Sequence, residues 1–159
     1  ADEKVMNLQI APYIHKQWMD KGVTDSSFYK AYCMLSNEQR NANVSAAARI
    51  RDVLGVSKKF DMDFAYGLAP DARETFLQFI SKPANMERLA EQEHNLWMQE
   101  RREWGWSYGE VRSDYFKLHP CFVEYKKLSE KEKEKDRDTI RNYPALLEGS
   151  LYKIVQTGS

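Results

Sequence analysis

Two tryptophans stand in matching surroundings in distant parts of the chain. Trp18 lies in IAPYIHKQWMDKG and Trp97 in LAEQEHNLWMQER, each three residues after a histidine, His15 and His94. Two indoles facing one hollow form a slot for a flat ring, and stacking there contributes about 1–3 kcal/mol per base. The competing reading makes both tryptophans core anchors. Arg101 follows Trp97 by one helical turn, on the same face. Arg137 and Arg141 repeat that spacing. Guanidinium forks suit phosphates and carboxylates, so the three arginines beside Trp97 suit the anionic part of a nucleotide-like ligand. The alternative is a set of internal pairs with Glu100, Asp114, Asp136 or Asp138. Asn43 and Asp136 occupy equivalent positions, and act either as ligand acceptors or as local caps. Tyr108 offers a hydroxyl within an aromatic loop, GWSYG, whose rings otherwise serve to pack the loop onto helices.

Other chemistry finds little support in the residues. The three histidines, His15, His94 and His119, carry no HExxH spacing and no Cys/His pair, so no metal is expected. His119-Pro120 reads as an extended loop corner. No phosphate-binding GxxxxGK[ST] loop and no GxSxG elbow occurs. The expectation is a binding module rather than an enzyme, with no cofactor. Cys33 and Cys121 are the only cysteines and sit at non-equivalent positions, which reads as two free thiols in a reducing cytoplasm.

Bulk properties narrow the class further. In 159 residues, 24 Lys and Arg balance 24 Asp and Glu. A protein that coats DNA or RNA needs a basic excess, so neither partner is expected. No apolar run suits a membrane span, and the acidic start ADEKVMN does not read as a signal peptide. The first residue is Ala rather than Met, which points to a piece of a longer polypeptide.

The elements that position these residues are mostly helical. Met6, Ile10, Ile14 and Trp18 recur every fourth residue, Pro12 suits a first turn, and Gly22 suits a stop, so a helix is expected from about Ala11. Ser36 to Gln39 reads as a capping box for a helix running to Gly55. Residues 56–69 alternate as a half-buried strand or an extended linker would. Pro70 opens a helix with Phe76, Phe79 and Ile80 inward, and Pro83 starts a long helix to about Glu103. Residues 106–125 form a long ordered loop with one short strand, Gly105 and Gly109 supplying positive φ. Ser129 to Glu132 reads as a second capping box, for a charged helix whose outer face is solvated. Pro144 ends or restarts that helix, Tyr152 to Val155 suits a last strand, and QTGS suits a frayed end. The total is about five helices.

The chain also repeats itself. His15 and Trp18 precede His94 and Trp97 by 79 positions, while Tyr32, Leu35 and Ser36 precede Tyr125, Leu128 and Ser129 by 93. One copy therefore carries about 14 extra residues between its halves. In the second copy Glu93-His94, Trp97, Gly105-Trp106, Tyr108-Gly109, Arg112, Asp114, His119-Pro120, Leu128, Asp136-Arg137, Ile140, Pro144 and Leu146-Leu147 resemble the ryanodine-receptor repeat, or RyR, domain family. The N-terminal copy is similar to the degenerate partner repeat of prokaryotic members, through His15, Trp18, Leu35, Asn43 and Ile50. The resemblance implies a tandem repeat of the kind that prokaryotic relatives append to dinucleotide-binding, ion-channel or conflict-system domains.

The expected fold is mainly α, with two helix-pair repeats related by pseudo-two-fold symmetry, long ordered loops and at most short strands. The expected divisions are 1–55 for the degenerate repeat, 56–83 for a connecting segment with a helix, and 84–155 for the full repeat, within one compact domain. The expected function is regulatory binding of a small, anionic, planar, nucleotide-like ligand in a cleft between repeats, through Trp18, Asn43, Trp97, Arg101, Tyr108, Asp136, Arg137 and Arg141. The other reading is a protein-interaction scaffold, in which the Trp106 loop and the charged helix dock against neighbouring domains of a longer polypeptide.

Overall fold

A computed structural model describes residues 3–22 and 26–158. These residues are mainly helical, with six α-helices and four short strands among them. The chain divides into two compact units, Ala1–Phe76 with Tyr143–Ser159, and Leu77–Asn142. The division falls within α3, Arg73–Ile80.

In the first unit α1 spans Glu3–Met19 and contains Pro12. The helix thus starts eight residues before the expected point at Ala11. Proline removes one helical N–H, which frees the carbonyl four residues earlier. Here that residue is Leu8, which is exposed, so water can reach the freed group. Met6, Ile10, Ala11 and His15 form the buried stripe, and it continues on both sides of the proline. Steps of four residues overrun a helical turn by about 40°, so the stripe moves to Ala11 and His15 while Ile14 and Trp18 are half-buried. Gly22, at φ 79°, closes the turn after α1.

A 3-10 turn at Tyr32–Met34 leads into α2, Asn37–Gly55. Ser36 caps α2 reciprocally: the Gln39 N–H donates to Ser36 Oγ at 3.1 Å, and the Ser36 N–H donates to Gln39 Oε1 at 3.1 Å. Strand β1, Phe60–Phe64, pairs antiparallel with the last strand β4, Tyr152–Gln156, in the register Phe60 to Gln156 and Phe64 to Tyr152. Between them in sequence, α6 (Tyr143–Gly149) is the helix that restarts at Pro144. The expected fraying at QTGS does not begin at Gln156. That residue lies in β4, and the Thr157 N–H donates to the Lys59 carbonyl at 2.9 Å. Ser159 lies outside the described residues.

In α3 the first turn begins at Arg73, three residues after Pro70, because the Asp71 carboxylate accepts from the Arg73 N–H at 2.7 Å. The second unit is built on α4, Pro83–Glu103, which buries Met86, Leu89, Ala90, Glu93 and His94. Its partner α5 is Glu130–Arg141. Ala90, Tyr125 and Leu128 form a buried cluster, with Cys121 and Val123 packed on it. The segment between the helices holds two short strands, β2 (Ser107–Tyr108) and β3 (Leu118–His119), which pair in parallel. A 3-10 turn at Tyr125–Lys127 then leads into α5. Only half of the second capping box forms. Ser129 Oγ accepts from the Glu132 N–H at 3.2 Å, but the Glu132 carboxylate turns to Cys121 and Lys135. Gly105 has φ 90°, as expected, whereas Gly109 does not have positive φ. Gly109 is needed for close approach, since a Cβ there would lie 2.7 Å from Leu118 Cβ.

No helix of the described residues is long and apolar enough to cross a membrane.

Candidate functional site

The α4 helix places Glu93, His94, Trp97 and Arg101 close together along its length. His94 is buried, and its Nε2–H donates to the Val123 carbonyl at 2.7 Å. A carbonyl only accepts, so Nδ1 carries the lone pair in the neutral ring. That nitrogen lies 3.8 Å from Asp136 Oδ2. Burial holds the His94 pKa below the ordinary histidine value, so the contact is one between a neutral ring and a carboxylate, not an ion pair. The His94 ring stacks on the Trp97 indole, with centroids 5.8 Å apart and planes at 23°. His119 meets Trp97 edge-on at 5.0 Å, and Phe122 lies against it at 5.3 Å.

The extra segment between the helices brings in the rest of the wall. His119 Nδ1 accepts from the Cys121 N–H at 3.0 Å. Burial, then the charges of Arg112 and Arg101, push its pKa down to about 4. The Cys121 thiol donates to Glu132 Oε2 at 3.5 Å, and burial together with that carboxylate pushes it up to about 11. Glu132 Oε1 accepts from Lys135 at 3.1 Å. Glu93, Trp97, His119, Cys121, Glu132, Lys135 and Asp136 are among the residues that surround a cavity of about 140 Å³.

The Arg101 guanidinium lies over three indoles, 5.8 Å from Trp97, 5.3 Å from Trp104 and 5.5 Å from Trp106. Trp106 is buried, and its indole nitrogen has no hydrogen-bond partner among the described residues. Tyr108, in β2, is exposed.

Trp97 and Asp136 both line the cavity, and Arg101 covers the Trp97 ring. Arg137 and Arg141 are engaged with other groups. Arg137 donates through Nε to Glu87 Oε2 at 2.8 Å, through Nη2 to Glu87 Oε1 at 2.5 Å, and through Nη1 to Glu130 at 3.0 Å. Glu87 also accepts from the Tyr125 hydroxyl at 3.2 Å, and its bond to Arg137 lowers its pKa. Arg141 pairs with Glu134 at 2.7 Å and Asp138 at 2.6 Å. These are internal pairs, and Asp138 is one of the partners expected from sequence.

Trp18 and Asn43 belong to the first unit. The Trp18 surroundings reproduce those of Trp97 closely. His15 Nε2 bonds the Lys30 carbonyl at 2.6 Å and stacks on Trp18 at 6.1 Å and 17°. His15 to Tyr32 is 6.0 Å at 55°, against 6.2 Å at 56° for His94 to Tyr125. Phe28 meets Trp18 edge-on at 5.9 Å. Asn43 is buried and donates to the Gln39 carbonyl at 3.2 Å, a bond within its own helix.

Two larger hollows lie in the first unit. One, of about 290 Å³, includes Arg73, Glu148 and Lys153. Its two cations are already engaged, Arg73 with Glu148 at 2.6 Å and Lys153 with the Gly67 carbonyl at 2.6 Å. The other, of about 390 Å³, is formed by Gln9 with aromatic and apolar side chains such as Tyr13 and Phe64. Perturbed titratable groups gather instead beside Trp97, which makes that cavity the better candidate site.

Sequence reasoning did not assign His119, Cys121, Glu93, Glu132 or Lys135 to a site. The available signal was the spacing of Glu132, Lys135 and Asp136, which puts three charged groups on one face of α5. Among the described residues, no group of His, Cys, Asp and Glu is placed to hold a metal ion. The family model described as RyR domain matches residues 80–156, a segment that includes the whole of the Trp97 cavity and its signature residues, and this segment of the chain is a RyR domain.

Proposed function

We propose that the chain is a non-catalytic regulatory module that binds a small, planar, nucleotide-like ligand against Trp97. The half-buried Trp97 indole carries this reading. His94 supports it by stacking, His119 and Phe122 hold it in place, and it forms part of a cavity wall. A flat ring laid against it gains about 1–3 kcal/mol from stacking. The Arg101 guanidinium over the same indole suits an anionic substituent. Pockets that enclose a drug-sized ligand measure roughly 300–1,000 Å³. A cavity of about 140 Å³ therefore takes a ring and leaves the rest of the ligand outside. A binding role also fits the state of the side chains. A cysteine nucleophile needs its thiolate, and Cys121 is held as the thiol.

Calorimetry and thermal shift across a panel of nucleotides test the proposal. Saturable binding is expected, weakened about 5- to 150-fold by Trp97→Ala. Binding that survives that substitution unchanged refutes the site.

A second reading, a protein-interaction scaffold, is favoured by the segment between β2 and β3. Tyr115 is 89% and Phe116 71% exposed, and their rings pack edge-to-face at 4.9 Å. Light scattering after size-exclusion chromatography separates the two readings. A stable oligomer that Phe116→Ser disperses, with no response to nucleotides, supports the scaffold, and a nucleotide-responsive monomer counts against it.

A further inference from the structure

The hollow of about 390 Å³ in the first unit lies where α1, the end of β1 and the turn before β4 meet. That volume falls within the roughly 300–1,000 Å³ of small-ligand sites. No residue lining it carries a charge, in a chain where 30% of residues do. The rings of Tyr13, Phe64, Tyr66 and Tyr152 make up much of its wall. Phe64 stacks on the buried Tyr152, with centroids 5.3 Å apart and planes at 26°, and its other face is left uncovered. The Tyr152 hydroxyl donates to Gln9 Oε1, which fixes the amide and leaves its two N–H groups to donate elsewhere. Among the described residues, the Tyr13 and Tyr66 hydroxyls have no hydrogen-bond partner within the protein. Leu151 is the lining residue that folding explains least. Its φ is 70°, in the left-handed region where glycine fits without strain and a bulky side chain does not. Its N–H donates to the Glu148 carbonyl at 3.1 Å and its carbonyl accepts from the Ala65 N–H at 3.0 Å, so the backbone is held there. Its side chain is nevertheless 57% exposed, beside the hollow. Strain kept for an exposed apolar side chain points to a contact made outside the fold.

We infer that this hollow binds an uncharged, flat ring that carries an amide group. An anion finds no cation in the lining and meets the negative faces of the aromatic rings. A cation gains from those faces but finds no carboxylate, and it brings no acceptor for the Gln9 N–H groups. Either charge loses hydration on entry without gaining a partner. A neutral amide brings a carbonyl that accepts from Gln9 and N–H groups that donate to a tyrosine oxygen. Its ring meets the aromatic wall, and Leu151 adds apolar contact. The site is independent of the Trp97 proposal, since its residues all belong to the first unit and Trp97 belongs to the second.

The test is an NMR titration of the full chain with three probes of one shape and different charge: benzamide, benzoate and benzamidine. Benzamide is expected to bind at least about tenfold more tightly than benzoate, and more tightly than benzamidine. Tyr66→Ala, at a ring 81% exposed, is expected to weaken benzamide binding about fivefold or more and to leave the melting temperature unchanged. Leu151→Gly is expected to weaken binding while the melting temperature stays level or rises, since glycine relieves the left-handed strain. A Leu151→Gly variant that melts lower and binds benzamide unchanged gives the leucine a purely structural role and overturns its part in the site. Benzoate or benzamidine binding as tightly as benzamide overturns the charge selection. Silence from benzamide, or affinity unchanged in Tyr66→Ala, overturns the site. A stable oligomer that Tyr66→Ala disperses makes the hollow an interface between copies and overturns the small-ligand reading. Trp97→Ala is expected to leave benzamide binding unchanged, so each of the two sites stands or fails without the other.

Discussion

Replacing His119 with asparagine isolates the electrostatics of the cavity wall. The imidazole is pushed from an ordinary 6.5 to about 4, chiefly by burial and then by Arg112 and Arg101. Between those two values the unfolded chain binds more protons at this position than the folded chain does. Stability therefore falls as pH falls from about 6.5 toward 4, and His119 adds almost no slope above that window. Between pH 7 and pH 5, linkage for this one ring amounts to about 2 kcal/mol, or about 1–2 kcal/mol after allowance for solvent at the cavity mouth. Asparagine does not titrate, and its side-chain carbonyl still accepts from an N–H two residues on, as His119 Nδ1 does from Cys121. Urea unfolding at the two pH values measures the effect. In a Trp18→Phe background the remaining indoles, Trp97, Trp104 and Trp106, all report on the second unit. The stability lost between pH 7 and pH 5 is expected to shrink by about 1–2 kcal/mol in His119→Asn. His94, also depressed by burial, leaves a residual slope in both proteins. An identical loss in both proteins would show that His119 is not held neutral by its surroundings.

Two further substitutions probe what supports the cavity. Arg137 and Glu87 form a two-pronged pair whose arginine side chain is 16% exposed and whose glutamate is 39% exposed. A double-mutant cycle with Arg137→Ala and Glu87→Gln is expected to give a coupling of about 1–2 kcal/mol in urea unfolding, and a coupling near zero would refute the pair as a brace. Gly109→Ala drives a methyl group against Leu118, and is expected to cost about 1–3 kcal/mol in thermal or chemical melts. Gly55→Ala, where the added carbon meets open space in a helix, serves as the control and is expected to gain up to about 1 kcal/mol.

The helices were legible wherever caps and breakers are local. Ser36 with Gln39, Gly55 and Pro83 mark real boundaries because the physics that sets them lies within one turn of chain. Pro12 misled for the opposite reason, since burial on both sides of it decides the helix and burial is set by distant residues. Gly109 was legible as special but not why, because Leu118, the atom it must avoid, lies across a strand pair. At the site, Trp97 and its histidine were visible through repetition. Arg137 was not, because the carboxylate that holds it, Glu87, stands 50 residues away on another helix. Cys121 carries no motif of its own, and His119 reads in sequence only as half of the His119-Pro120 corner; both gain a place in the cavity wall once α5 brings Glu132 to them.

The repeated geometry separates what both copies keep from what one copy adds. In each, a buried histidine bonds the carbonyl of an incoming chain, stacks on a tryptophan one turn later and leans on the tyrosine of a 3-10 turn. That arrangement satisfies a buried ring nitrogen and fixes an indole, so it serves folding in both copies. Asn43 and Asp136 stand at the same place in this scheme but differ in what they do. Asn43 donates to its own helix, whereas Asp136 lines a cavity. The added segment of the second copy carries β2, Gly109 and β3, and β3 delivers His119 to the edge of Trp97. Trp18 is met by Phe28, an apolar ring, whereas Trp97 is met by Phe122 and also by a polar ring held neutral. The stacked histidine and tryptophan are thus a shared structural base. The polar wall beside Trp97 draws on the segment that carries β3 and on α5, where Asp136 stands at the position that Asn43 takes on α2.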